Sequence, residues 1–390
     1  MGHWIFNEEH NMFRQSIRKF IAKEVTPYVE EWEKNGEVPR SLFERMAQLG
    51  YLGIKFPVEY GGSDMDLITE AVFIEELVKC GAGGVQAAIG SHTGIALTKI
   101  WKFGNEEQKQ KYLVPGILGE KISALGITES NGGSDVAQLK TTARRDGNHY
   151  ILNGSKTFIT NGVNADFVIV AARTKPEPKH KNISLFIVET NWEGYSVGKK
   201  LKKLGWRSSD TGELFFDNVK VPKENLLGVE NEGFKYIMED FQLERIIMAI
   251  VCVALAERAL EEAIKYSKER IQFRKPLSEF QVLRHKMADM AVDIEKARNI
   301  SYLALYKYAN GQDAVTEATM AKAYAAEMVN RVTDAALQIH GGNGYMMEYP
   351  VQRYWRDARI NAIGGGTTQI MNEILAKRLG IYTRPYENVK

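Results

Sequence analysis

A carboxylate and a guanidinium stand side by side at Glu244-Arg245, and ten residues without charge, Gly or Pro follow from Ile246 to Leu255. A helix apolar on every face is a buried helix. Charged groups at its head are almost never fully buried unless paired or put to use. Two readings are open from this stretch. In one, Glu244 and Arg245 form a structural ion pair at the entry to a core helix, and such pairs also perturb pKa values. In the other, Glu244 is a base in a dry pocket and Arg245 grips an anionic ligand. A carboxylate kept from water rises in pKa, which suits a base working near neutral pH.

Three further segments are dense in Gly and small polar residues: Thr128 to Asp135, Gln338 to Tyr345 and Gly364 to Gln369. Each could bring backbone N–H groups close to phosphates or carbonyls, or be only a turn. Three in one chain, beside Glu244-Arg245, point to a large, multiply phosphorylated ligand. Other chemistry is disfavoured. No GxGxxG opens a βαβ unit, and GxxxxGK[ST], HExxH and GxSxG are absent. The seven histidines are scattered, and Cys80 and Cys252 lie far apart in apolar settings. Neither a metal site nor a disulfide framework is expected, and a reduced compartment fits. The net charge of +2 implies no strong field for nucleic acid or a membrane. No apolar run approaches the roughly 20 residues of a membrane span. The N-terminal MGHWIFNEEH has no apolar signal core and carries acids early, so it reads as neither a secretory nor a transit peptide. A transit peptide already removed would leave no trace.

The elements around these segments fall into three blocks of an α+β, mostly α chain. Residues 1–121 read as an N-terminal helical domain. Phe13, Ile17, Phe20 and Ile21 recur at helical spacing, and Ser41 with Glu44 reads as a capping box. Leu67 to Lys79, Gly94 to Phe103 and Glu106 to Leu113 continue the helical pattern, broken at Gly61-Gly62 and Gly81 to Gly84. Residues 122–232 are β-rich, with runs at Tyr150 to Leu152, Phe167 to Val170, Ile183 to Val188 and Leu214 to Val221. Asp146-Gly147 is a hairpin signal, and strands so spaced suggest a β-barrel or sandwich. Residues 233–390 read as a C-terminal four-helix bundle: Tyr236 to Gln272, Glu279 to Asn310, Thr316 to His340 and Thr368 to Leu379. Apolar residues on several faces of these helices suggest packing against another copy.

Five segments in order resemble the acyl-CoA dehydrogenase family of flavoproteins: ITESNGGSD from Ile127, LNGSKTFITNG from Leu152, RIQFRKPLSEFQ from Arg270, QIHGGNGY from Gln338 and RDARI from Arg356. The resemblance implies a helix, β-barrel, helix-bundle fold and FAD as cofactor. It implies that Thr128 and Thr160 bond the isoalloxazine ring, that Phe158 lies against it, and that Ser134 meets the flavin pyrophosphate or the CoA arm. Arg270, Phe273, Gln338 and Gly342 match positions that reach FAD from a neighbouring subunit, and Gly341 is a further cofactor-binding position. Thr367 and Gln369 match those that hold its adenosine half. The implied assembly is a homotetramer, a dimer of dimers.

One departure is informative. Many relatives carry Tyr-Glu-Gly-Thr where this chain reads Gly364-Gly365-Gly366-Thr367, and that Glu is the base. Isovaleryl- and long-chain-type members place the base where this chain has Glu244. The resemblance therefore implies α,β-dehydrogenation of an acyl-CoA to the trans-2-enoyl-CoA, with Glu244 taking the α-proton and flavin the β-hydride. The backbone N–H of Gly365 would steady the enolate oxygen, and Arg245 and Gly364 would border the substrate. Gly364 and Gly365 either leave room for a long or branched acyl chain or only permit a tight turn. Electrons would pass to an electron-transferring flavoprotein, in a bacterial cytoplasm or a mitochondrial matrix. The alternatives are an acyl-CoA oxidase, or a relative that binds FAD or CoA without turnover.

Overall fold

The computed structural model describes residues 3–176 and 181–381. They form two compact units, one of residues 20–73 and 82–241, the other of 3–19, 74–81 and 242–381. The chain opens with helices α1 (Glu8–Glu24), α2 (Val29–Asn35), α3 (Arg40–Gln48), α4 (Leu67–Val78), α5 (Gly83–Gly90), α6 (Leu97–Phe103), α7 (Glu106–Gln108) and α8 (Val114–Ile117). The capping box expected at Ser41 and Glu44 is not formed. Pro39, extended at ψ 152, starts α3 earlier, and no side chain caps it. A capping box forms instead at Asn105, whose side chain accepts from the N–H of Gln108 while Gln108 reaches back to its backbone. The expected break at Gly81 to Gly84 is also shorter than read. Gly83 and Gly84 begin α5, and Gly84 is needed there because a Cβ would sit 2.4 Å from Ser208 Oγ.

Eight strands build the rest of the first unit: β1 (Ser123–Gly126), β2 (Thr142–Asp146), β3 (His149–Thr160), β4 (Phe167–Arg173), β5 (Ile183–Glu189), β6 (Tyr195–Lys200), β7 (Thr211–Pro222) and β8 (Leu226–Leu227). Their order is β6-β7-β3-β2-β4-β5-β8, with β1 parallel to β4. The hairpin at Asp146-Gly147 forms as expected, with Asp146 opposite His149 and Gly147 at φ +60. β4 and β5 explain why their sequences are apolar without alternation. Phe167, Ile169 and Ala171 point into a core with Leu97, Ile100, Tyr112 and Ile117 of the helices. Val168, Val170 and Ala172 point into a second core with Tyr150, Leu152, Leu214 and Val219. Successive side chains leave opposite faces of a strand, so a strand covered on both faces must be apolar throughout. Each Val, Ile or Phe among them contributes about 1.5–3 kcal/mol on burial.

In the second unit, α9 (Gly233–Glu269) contributes its residues from Gln242 on, followed by α10 (Gln281–Ala309), α11 (Val315–His340), α12 (Val351–Ala358) and α13 (Thr368–Arg378). α11 packs on α10, α12 and α13. The short link at Asn310 to Ala314 folds α11 back on α10, with Gly311 at φ +68. Buried charges tie residues 3–19 and 74–81 to the bundle. Arg14 bonds Glu75 at 2.7 Å and Glu76 at 2.8 Å, and Glu75 also accepts from the Tyr302 hydroxyl. Cys80 and Cys252 are both buried, and neither forms a disulfide. No helix among the described residues is long and apolar enough to cross a membrane.

Candidate active site

The loop after β1 and the end of β3 carry Thr128, Ser134, Phe158 and Thr160. The ladder between β3 and β7 slips between Lys156, which faces Leu214, and Ile159, which faces Gly212. This bulge frees Thr157 N–H from the ladder, and it donates to Thr128 O at 2.9 Å. The same bulge holds Phe158 at φ +59 and turns its ring outward, 68% exposed. Left-handed backbone costs a non-Gly residue about 1–2 kcal/mol and is characteristic of functional segments. Thr160 rejoins the ladder opposite Thr211. Ser134 is exposed, and Gly132 has nothing within 4 Å of where a Cβ would be. The loop backbone is therefore open to a ligand.

Beneath that loop sits a buried ion pair. Glu129 accepts from Lys140 N at 2.6 Å, Thr141 N at 2.9 Å, Thr141 Oγ1 at 2.6 Å and Lys156 Nζ at 2.7 Å. Lys156 also donates to Ile127 O at 3.1 Å. Burial pushes the Glu129 carboxyl up, but Lys156 and the hydrogen bonds outweigh it and hold the group below the ordinary range. Burial pushes the Lys156 ammonium down to about 8 against the pull of Glu129.

In the bundle unit, α9 carries Glu244 and Arg245, both half-buried, ahead of the fully buried Ile246, Ala249 and Ile250. Adjacent residues on a helix point about 100° apart, so the two do not face the same way. Burial lowers the Arg245 pKa, partly offset by the charge of Glu244. The glycine segment turns at Gly365 (φ +62) and Gly366 (φ +91). Buried Lys322 of α11 donates to the Gly366 carbonyl. Thr367 caps α13 by accepting from Ile370 N at 3.2 Å. A Cβ on Gly365 would lie 2.2 Å from Met248 Sδ, whereas one on Gly364 would meet nothing closer than 3.7 Å. Of the two roles considered for Gly365, the turn is the one its backbone requires. Met248 packs into the volume beside it.

Thr367 and Gln369 come together in a cavity of about 280 Å³ that Glu327, Asn330, Arg359 and Thr368 also line. Arg270 and Phe273 lie at a hairpin in which Ile271 pairs with Pro276 and Gln272 with Lys275. Its turn residues Phe273 (φ +49) and Arg274 (φ +65) are both left-handed, and Phe273 is 87% exposed. Such turns favour Asn and Gly, so a Phe held outward there is the kind of strain that accompanies a contact role. Gln338, Gly341 and Gly342 lie close by in the chain fold. Tyr266, one turn before Arg270, stacks on His340 with centroids 4.2 Å apart and accepts from Asn343 Nδ2 at 3.0 Å. Gly341 and Gly342 have nothing within 4 Å of where a Cβ would be.

Glu129, Lys156, Lys322, Met248, Glu327, Asn330 and Arg359 were not foreseen from the sequence. Glu129 and Lys156 lie inside the ITESNGGSD and LNGSKTFITNG segments, a signal that could have found them. Met248 lies in the apolar run that follows Glu244-Arg245, and Lys322 carries no such signal.

The residues present fit FAD. Open glycine backbone at Gly132, Gly341 and Gly342 can approach phosphate, an exposed ring at Phe158 can lie against a flat heterocycle, and Arg359 beside threonine hydroxyls can hold a polar nucleotide. Comparison with known proteins agrees. The models of the acyl-CoA dehydrogenase N-terminal, middle and C-terminal domains match residues 7–120, 124–219 and 231–380. The chain is 40% identical over 378 residues to the mitochondrial long-chain specific acyl-CoA dehydrogenase of Rattus norvegicus, covering 96% of this chain and 87% of that protein. It is 42% identical over 372 residues to the short-chain specific acyl-CoA dehydrogenase of Clostridium acetobutylicum, covering 95% and 98%. The solved acyl-CoA dehydrogenase of Geobacillus kaustophilus superposes with a TM-score of 0.94 at 43% identity, covering 97% of this chain and 100% of that one. The chain belongs to the acyl-CoA dehydrogenase family of FAD-dependent oxidoreductases.

Proposed function

We propose that this enzyme dehydrogenates an acyl-CoA thioester to the trans-2-enoyl-CoA with Glu244 as the base. The observation that carries the reading is at position 365. The loop position that holds the base in many relatives is here a left-handed glycine with Met248 packed against it, so this chain carries no carboxylate there. Half-buried Glu244 on α9 matches the position where isovaleryl- and long-chain-type members carry the base. It removes the α-hydrogen as a proton, leaving an enolate on the thioester. The N–H of Gly365 is one donor to the enolate oxygen, and a backbone donor survives the loss of the side chain. Bound FAD supplies the acceptor for the β-hydrogen, which leaves with its electron pair as hydride. Arg245 would hold the CoA or the pocket wall, Gly364 would border the substrate, and Ser134 would serve the phosphate-bearing part of either ligand.

Thr128, Phe158 and Thr160 would hold the flavin ring. Thr367 and Gln369, with their cavity, would hold the adenosine half. Exposed Phe273 and open Gly341 and Gly342 support a site completed by Arg270, Phe273 and Gln338 of a neighbouring copy, in a tetramer built as a dimer of dimers. The acceptor of the electrons is an electron-transferring flavoprotein, in a bacterial cytoplasm or a mitochondrial matrix. A division at residues 121 and 232 completes the reading.

The test is an anaerobic titration of the holoenzyme with a panel of straight, branched, aromatic and cyclic acyl-CoAs, followed by flavin absorbance. Wild type is expected to bleach with a subset, which names the acyl class. Glu244→Gln is expected to retain flavin and not bleach. Bleaching that persists in the variant places the base elsewhere.

A further inference from the structure

We propose that Met248 is a positioning residue that excludes a side chain from position 365 and so confines the base to α9; the inference rests on the reading of Glu244 as that base. Met248 lies four residues after Glu244, one helical turn along the same face. Side chains on a helix lean toward its N-terminus, so the Met248 thioether covers the turn that carries Glu244. Its sulfur fills the place a Cβ on Gly365 would take, at 2.2 Å, with Cε at 3.4 Å and Cγ at 3.8 Å. The glycine loop is pinned around this contact. Lys322 holds the Gly366 carbonyl, and a Cβ on Gly366 would meet Met371 Cε at 2.7 Å. Two thioethers therefore occupy the volume that two loop side chains would need. Gly364 has no such neighbour, its closest contact being Ile360 O at 3.7 Å. The exclusion is thus specific to positions 365 and 366. An unbranched thioether suits this packing because it fits an irregular gap without a fixed branch. Met248 keeps the Gly365 backbone seated, with its N–H free of a side chain, while the proton acceptor stays on the helix.

Moving the base tests this. In the holoenzyme, Glu244→Gln is expected to lose at least a hundredfold in kcat. Glu244→Gln with Gly365→Glu is expected to stay within tenfold of that loss, because the new carboxylate cannot be seated. Adding Met248→Ala to that pair is expected to restore kcat at least tenfold and to return a pH profile governed by one carboxylate. Recovery without Met248→Ala, or none with it, overturns the proposal. Full activity of Glu244→Gln alone instead sinks the base assignment on which it rests. A second measurement does not depend on turnover: Gly365→Ala should lower Tm, and Met248→Ala should relieve at least half of that drop in the double variant. Additive shifts in Tm would show that the two positions do not press on each other and would refute the inference.

Discussion

Glu129→Ala should unfasten the loop that carries Thr128. Glu129 is 5% exposed, and its carboxylate accepts from four donors on two segments. Its removal leaves the Lys156 ammonium, whose side chain is fully buried, with only the Ile127 carbonyl. Breaking a buried pair from one side costs about 3–5 kcal/mol, because a charge is left uncompensated. Lys156 can soften this by releasing its proton, since its pKa already lies down at about 8. A loss of about 3 kcal/mol is therefore expected for Glu129→Ala. Glu129→Leu with Lys156→Met removes both charges and should recover about half, the remainder being the unsatisfied N–H groups of Lys140 and Thr141 at about 1 kcal/mol each. The assay is urea unfolding of the flavin-free protein by tryptophan fluorescence, with FAD affinity measured in parallel. FAD should bind at least tenfold more weakly in Glu129→Ala, because the hydrogen bond from Thr157 to Thr128 couples the loop to the β3 bulge. A stability loss under 1 kcal/mol, or a double variant no better than the single one, would refute the reasoning.

His92 lies fully buried, its Nδ1 accepting from Ser123 N at 3.1 Å and its Nε2–H donating to Gly116 O at 3.0 Å. Burial pushes its pKa down to about 4. The unfolded chain thus binds the proton first, and roughly 3 kcal/mol of stability should be lost as pH falls from about 6.5 to about 4. Urea midpoints across that range check this, and His92→Asn should flatten the slope. Phe158→Gly relieves a left-handed backbone at an exposed site and should raise stability by about 1 kcal/mol. It should also weaken FAD binding, so unchanged FAD affinity by equilibrium titration would remove Phe158 from the flavin site. Lys322→Met should cut kcat/KM about tenfold while flavin content holds, since the Gly366 carbonyl loses its donor. An unaltered kcat/KM would show that the glycine loop needs no such hold.

What could be read in advance was local. The Asp146-Gly147 hairpin, the apolar strands β4 and β5 and the long helices α9, α10 and α11 all declare themselves within a few residues. Their signals are turn chemistry and apolar period, which neighbours in the chain carry. The glycine and small polar clusters at Thr128 to Asp135, Gln338 to Tyr345 and Gly364 to Gln369 were legible for the same reason. Local signals also misled. Ser41 with Glu44 had the spacing of a capping box, but Pro39 set the helix start and left Ser41 exposed.

The tertiary structure decided which charges are buried and which glycines are crowded. Glu129 meets Lys156 across 27 residues, and Lys99 meets Asp240 across 141. Nothing near any one of these residues marks it as a buried ion, because a charge is stable in the core only beside a partner that folding delivers. Gly365 reads in sequence as a missing side chain. Only the packing of Met248 against it shows that the space is taken. Pattern and turn chemistry thus determined the elements, and the family resemblance pointed to the helix and loops of the proposed site. The fit of side chains distant in sequence decided its geometry, since close packing is a property of the assembled core and of no single segment.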